Sequence, residues 1–176
     1  GMHCMNQDFS EMMILPPFNN LHAQVIDRSG EDPHIVTSGV SVTYAIPSNT
    51  TSDNKTNFWD YAQALFGTAL TPNIGLTGNG LAGSMTPVAG GIWEASGIPI
   101  TPLDDNLQED PYPLATITVK KNGVTTGQTQ AVVPVSWEIS CNLCHNTQGI
   151  STAMDILQKH DDLHDTALAT GPKPVA

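Results

Sequence analysis

A chain of 176 residues is one domain's worth of sequence with at most a short appendage, and is long enough to bury a core without disulfides or metals. Its formal net charge of −11, six Lys and Arg against 17 acids, leaves no basic patch for phosphate backbones or anionic lipid, which excludes nucleic acid as a partner. Only 13% of residues are charged, while Gly and Pro number 15 and 13, a composition that suits a turn-rich β domain better than a helical one.

No run of about 18 apolar residues occurs, so no segment is expected to span a bilayer. Met2 to Phe18 has no basic start, and Pro16-Pro17 interrupts its apolar part, so no signal peptide is read there. Strands are predicted over Met12 to Leu15, Leu21 to Ile26 and Ile35 to Ile46, punctuated by Pro16-Pro17 and Pro47-Ser48-Asn49. In Val40 to Ile46 larger apolar residues alternate with small or polar ones, the period of a half-buried strand.

Ser48 to Thr56 reads as a polar loop. It carries the sequons Asn49-Thr50-Thr51 and Asn54-Lys55-Thr56. A short helix is predicted from Asn57, with Gly67 as its C-terminal stop and Phe58, Tyr61, Ala62 and Leu65 as a core-facing stripe. Residues 68–91, rich in Gly, Thr and Pro, are predicted to form a long loop, and long loops in compact domains are often functional. Ile98 to Pro102 is extended by its prolines. Leu114 to Lys121 and Val124 to Ser140 bracket Asn122-Gly123, a strong hairpin signal.

The last of these strands leads directly to Cys141, and beyond His145 the pattern changes. Ser151 to Leu168 holds no Gly or Pro and reads as a helix. Its expected N-cap is Thr152, with Asp155 three residues on as in a capping box. Leu157, His160, His164 and Leu168 share one face by their spacing. The expected fold is mainly β: an antiparallel sandwich-like core with a short internal helix and a C-terminal helix carrying or following the cysteine motif. The expected divisions are a β-rich domain over 1–140, a motif segment with its helix over 141–170, and a frayed tail over 171–176.

Cys141-Asn142-Leu143-Cys144-His145 carries the chemistry. One helical turn sets two thiols over the vinyl-derived carbons of a porphyrin, and a His at the next position reaches the iron from the same side, which makes this a c-type haem attachment motif. Two other uses of a CxxC pair stay open. It is half of a structural zinc site, for which no second CxxC exists, or a thioredoxin-like redox pair, for which no βαβ context is visible. Three cysteines, two of them in one motif, argue against a disulfide framework.

Gly1-Met2-His3-Cys4-Met5, Ile14 to Val25, Thr56 to Tyr61 and Gly97 to Pro102 resemble the segments preceding the haem motif in large bacterial multihaem c-type cytochromes. The resemblance covers nearly the whole chain, but only the CxxCH has a known chemical meaning. It implies thioether bonds to haem c at Cys141 and Cys144, iron ligation by His145, and an extracytoplasmic setting in the periplasm or at the cell surface. It also implies that other haem domains or redox proteins are the partners. In that family further CxxCH motifs follow downstream; with none here, the chain reads as an excised N-proximal piece of a longer cytochrome.

For the iron's sixth ligand His160, fifteen residues past His145 on the following helix, is the first choice, with His164 one turn on. The pair His160-x-x-x-His164 departs from a zincin helix at Asp161, where a general-base Glu would stand, so no protease is expected. No catalytic residues are assigned. Met2-His3-Cys4-Met5 concentrates soft ligands. A terminus folded back on the motif would let Cys4 join Cys141, Cys144 and His145 around zinc in the absence of haem, with His3, His22 and His164 as alternative ligands. Against the haem-bearing electron-transfer module stand a zinc-stabilised structural domain and a β-sandwich binding module that uses the 68–91 loop.

Overall fold

The computed structural model describes residues 3–10, 15–136, 145–167 and 169. The chain divides into two compact units, 1–137 and 138–176.

The first unit contains β1 (His3–Cys4), β2 (Asn19–Ala23), β3 (Ile26–Asp27), β4 (His34–Ile35), β5 (Ser41–Ala45), α1 (Phe58–Phe66), β6 (Ala82–Ser84), β7 (Thr86–Val88), β8 (Ile92–Ile98), β9 (Leu114–Lys121), β10 (Val124–Val132) and β11 (Val135–Ser136). The second contains α2 (Thr152–His164). The fold is mainly β, with antiparallel sheets, one internal helix and one C-terminal helix, as the residue patterns predict. Among the described residues no helix is long and apolar enough to cross a membrane.

Two sheets build the first unit, one of four strands in the order β10-β9-β5-β6 and one of three in the order β2-β8-β7. Alternation puts Val42 and Tyr44 of β5 and Ala115 and Ile117 of β9 on the inner face of the first sheet. Leu21 of β2 and Trp93 and Ala95 of β8 lie on the inner face of the second, and all seven belong to one hydrophobic cluster. Two sheets sharing one core are a sandwich arrangement. The β3–β4 hairpin stands apart from both sheets, and β1 runs parallel to β11 with Cys4 opposite Ser136.

The β9–β10 turn forms where Asn122-Gly123 places it, and both residues take the positive φ that a tight hairpin of this hand requires. α1 ends on Gly67 in the left-handed conformation, as expected. Its stripe is shifted from the expected one, because Leu65 is 43% exposed while Phe66 packs on Phe58 at 5.8 Å between ring centroids. Phe9 meets the same Phe58 at 5.3 Å, so a second small cluster seats the helix.

Several boundaries differ from expectation. The predicted strand over 21–26 breaks at Gln24-Val25, and that over 35–46 breaks where Gly39 turns with φ 75°. Residues 68–91 are not one long loop, since β6 and β7 form within them and β8 follows directly. β6 and β7 are edge strands of three residues each, too short for a period to show. The predicted strand over 12–15 falls mainly outside the described residues.

Candidate cofactor site

Cys141 and Cys144 lie outside the described residues, as do the side chains of His3 and Cys4. What the structure describes of the motif's neighbourhood is His145, the segment that follows it, and α2.

α2, from Thr152 to His164, lies within the span expected for it. Ser151 is its N-cap, in extended conformation, and its hydroxyl accepts a hydrogen bond from the Met154 N–H at 3.2 Å. This replaces the expected cap at Thr152. Asp155 does not reach back to the cap; its Oδ2 accepts instead from the Thr147 N–H at 3.2 Å. That bond ties the chain two residues past His145 to the first turn of the helix. Asp155 is nearly fully buried, and its carboxyl is held below the ordinary carboxylate value. The Thr147 backbone N–H is the main cause, opposed by burial and aided by the Thr147 hydroxyl, Lys159 and His145. Lys159, one turn along α2, approaches Asp155 Oδ1 at 3.8 Å.

His145 is half-buried, and among the described residues its buried Nδ1 has no hydrogen-bond partner. Leaving such an atom unpaired costs about 1 to 3 kcal/mol.

His160 sits in the last turns of α2, 45% exposed at its side chain. The left-handed Asp165 caps the helix with φ 53° and turns the chain back, so that Thr166 meets Asp161 and His160. The Thr166 hydroxyl donates to Asp161 Oδ1 at 2.6 Å, and its oxygen lies 3.3 Å from His160 Nδ1. With its proton committed to Asp161, Thr166 Oγ1 can only accept from His160. That contact favours the Nδ1–H tautomer, which puts the lone pair on Nε2. Metal-ligating histidines are commonly oriented in this way by a partner on the other ring nitrogen. Asp161 also accepts from the Ala169 N–H at 2.7 Å, so the carboxylate is itself held in place.

His164 is the last residue of α2, with its ring centroid 4.6 Å from that of His160. Leu157, His160 and His164 do share a face, and that face is exposed. Asp155 lies on the buried side. Leu168 is outside the described residues. His22, an alternative ligand, is on β2 in the first unit, where its Nε2 lies 2.7 Å from Glu94 Oε2 across the strand pair. Among the described residues no three His, Cys, Asp or Glu side chains converge into a metal-binding group.

Thr147 and Thr166 carry no sequence signal for their positioning roles. Asp155 does, as an acid in a helical first turn, though its partner differs from the expected one.

Comparison with protein-family models, with curated proteins and with solved structures finds no match to this chain.

Proposed function

We propose that this chain holds haem c through Cys141 and Cys144, with His145 and His160 as iron ligands, and serves as an electron-transfer module of a longer bacterial cytochrome. The observation that carries the reading is the CxxCH spacing at 141–145. The resemblance to multihaem cytochromes and the Thr166 contact at His160 Nδ1 support it. When bound, the haem supplies a one-electron couple. The chain's own residues would then anchor the macrocycle, hold the two imidazoles at the iron, and tune His160 through the Thr166 hydroxyl. Covalent attachment requires extracytoplasmic maturation, which places the module in the periplasm or at the cell surface. Its exchange partners would be other haem domains or redox proteins.

The test is expression alongside a haem-maturation system. A Soret band that survives acid–acetone extraction, lost in Cys141→Ala with Cys144→Ala, is expected. His160→Ala should keep the covalent pigment but change the axial-ligand bands of the oxidised protein. Thr166→Val, which removes the Nδ1 partner together with the hydroxyl's bond to Asp161, should keep those bands and shift the midpoint potential. A colourless protein under these conditions overturns the proposal, and one that is colourless but retains a zinc ion per chain favours a structural zinc site built on Cys141, Cys144 and His145.

A further inference from the structure

The first unit holds a half-open cleft of about 840 Å³ between the β3–β4 hairpin and the β9–β10 hairpin. It exists because β3 and β4 pair with each other and with neither main sheet, so one mouth of the sandwich is left unclosed. The hydrophobic cluster reaches the surface there. Val25, Val40 and Val119 are only partly buried against the core, and with Ile117 they line the cleft.

The rim is basic in a chain that carries −11 overall. Arg28, the chain's single arginine, and Lys121 both line the cleft. Arg28 is exposed and makes no ion pair among the described residues. The one carboxylate in the lining, Asp27, is already engaged: the Ser29 N–H donates to its Oδ1 at 2.9 Å, and His34 Nε2 lies 4.0 Å from its Oδ2. Glu31 and Asp32, in the turn that joins β3 to β4, are not part of the lining. An apolar floor with a few convergent polar groups, in a volume of several hundred Å³, is the usual make-up of a small-molecule site. An unpaired guanidinium is the side chain best suited to hold a carboxylate in two-point contact.

We infer that this cleft binds a small amphipathic carboxylate, a soluble monoanion with an aliphatic body, the carboxylate held at Arg28 and Lys121 and the body laid over Val25, Val40, Ile117 and Val119. The anion's attraction is local. At physiological salt, charges more than about 8 Å away are largely screened, and within the lining Arg28 and Lys121 face one carboxylate, Asp27, which also attracts Lys121. The site is independent of haem attachment, since every residue in it belongs to the first unit.

The test is calorimetric titration of the full 176-residue chain with decanoate, acetate and decyltrimethylammonium. Decanoate is expected to bind saturably at one site per chain, while acetate lacks the body and the ammonium amphiphile has the wrong charge. Arg28→Gln should weaken decanoate about tenfold, the order expected for losing one charge-assisted contact, and Arg28→Gln with Lys121→Gln should remove measurable binding. Both side chains are exposed, so circular dichroism of the variants should match the wild type. No decanoate binding, equal binding of the cationic amphiphile, or unchanged affinity in the double variant would overturn the assignment.

Discussion

Lys55 has its side chain entirely out of water, and its ammonium donates to Asp105 Oδ1 at 2.9 Å and to Asn49 Oδ1 at 3.1 Å. Asn49 is itself fully buried and donates to the Thr101 and Leu103 carbonyls at 2.7 and 2.8 Å, so this network pins the 48–56 loop to the segment after Pro99. The two ends of the ion pair differ in how much loss they tolerate. Asp105 is about one-third exposed and keeps hydrogen bonds from Thr50, so Lys55→Met leaves that carboxylate solvated, but it strands the buried Asn49 Oδ1 and should cost about 2 kcal/mol. Asp105→Asn leaves a buried ammonium without its counter-charge and should cost about 3 kcal/mol. Urea unfolding that ranks the two the other way would contradict this account. Burial pushes the Asp105 carboxyl up, but the hydrogen bonds from Lys55 and Thr50 outweigh it and hold the carboxyl below its ordinary value. A folded-state value below the unfolded one gives stability that is present above the unfolded range, near pH 4, and is lost as pH falls through the folded value. The gap between wild type and Asp105→Asn should therefore be full at neutral pH and narrow below about pH 4. The same burial decides a sequence signal: the Asn49 sequon has no amide to offer a glycan in the folded chain, whereas Asn54 is exposed.

At the scale of elements, β8 shows how a central strand can escape its own sequence. Its inward positions are Trp93, Ala95 and Gly97, and two small side chains out of three conceal the alternation that Val42, Tyr44 and Ile46 display openly around β5. Gly97 is there because nothing larger fits. It has φ 69°, and a Cβ at that position would run into the Thr77 side chain, while Gly75 packs against its carbonyl. Gly123 has a similar φ of 80°, yet nothing lies within 4 Å of where its Cβ would be. Gly123→Ala should thus cost about 1 kcal/mol from backbone strain alone, and Gly97→Ala should cost about 2 to 3 kcal/mol because a steric clash is added. Equal losses in thermal unfolding would show that the close approach at β8 does not matter. The hairpin of β9 and β10 was legible because its turn chemistry is local, whereas the His160, Asp161 and Thr166 arrangement was not. It depends on a left-handed residue at Asp165 that folds the chain back on the helix end, and Asp in that conformation has no pattern that announces it.

At the scale of the whole molecule, the described part of the sandwich core draws on residues that all precede the cysteine motif. Its buried cluster runs in sequence from Met5 to Val135, and its two sheets are joined by strands that all end by Ser136. The 138–176 unit is held by a different kind of interaction. α2 buries Asp155 where a core-facing helix would bury an apolar side chain, and Leu157 and Leu163 are 37% and 79% exposed. Local polar contacts, Asp155 to Thr147 at one end and Asp161 to Thr166 at the other, stand where an apolar stripe would in an independently stable helix. Such a segment gains little from burial, and a covalently attached macrocycle would give it the apolar surface it lacks. The dependence should run one way. Cys141→Ala with Cys144→Ala is expected to abolish covalent haem and lower the far-UV helical signal, while the β signal and its cooperative denaturant transition stay at the wild-type midpoint. Loss of the β transition in this double variant would mean that the motif is part of the structural core, and would defeat the division of labour inferred from the two units.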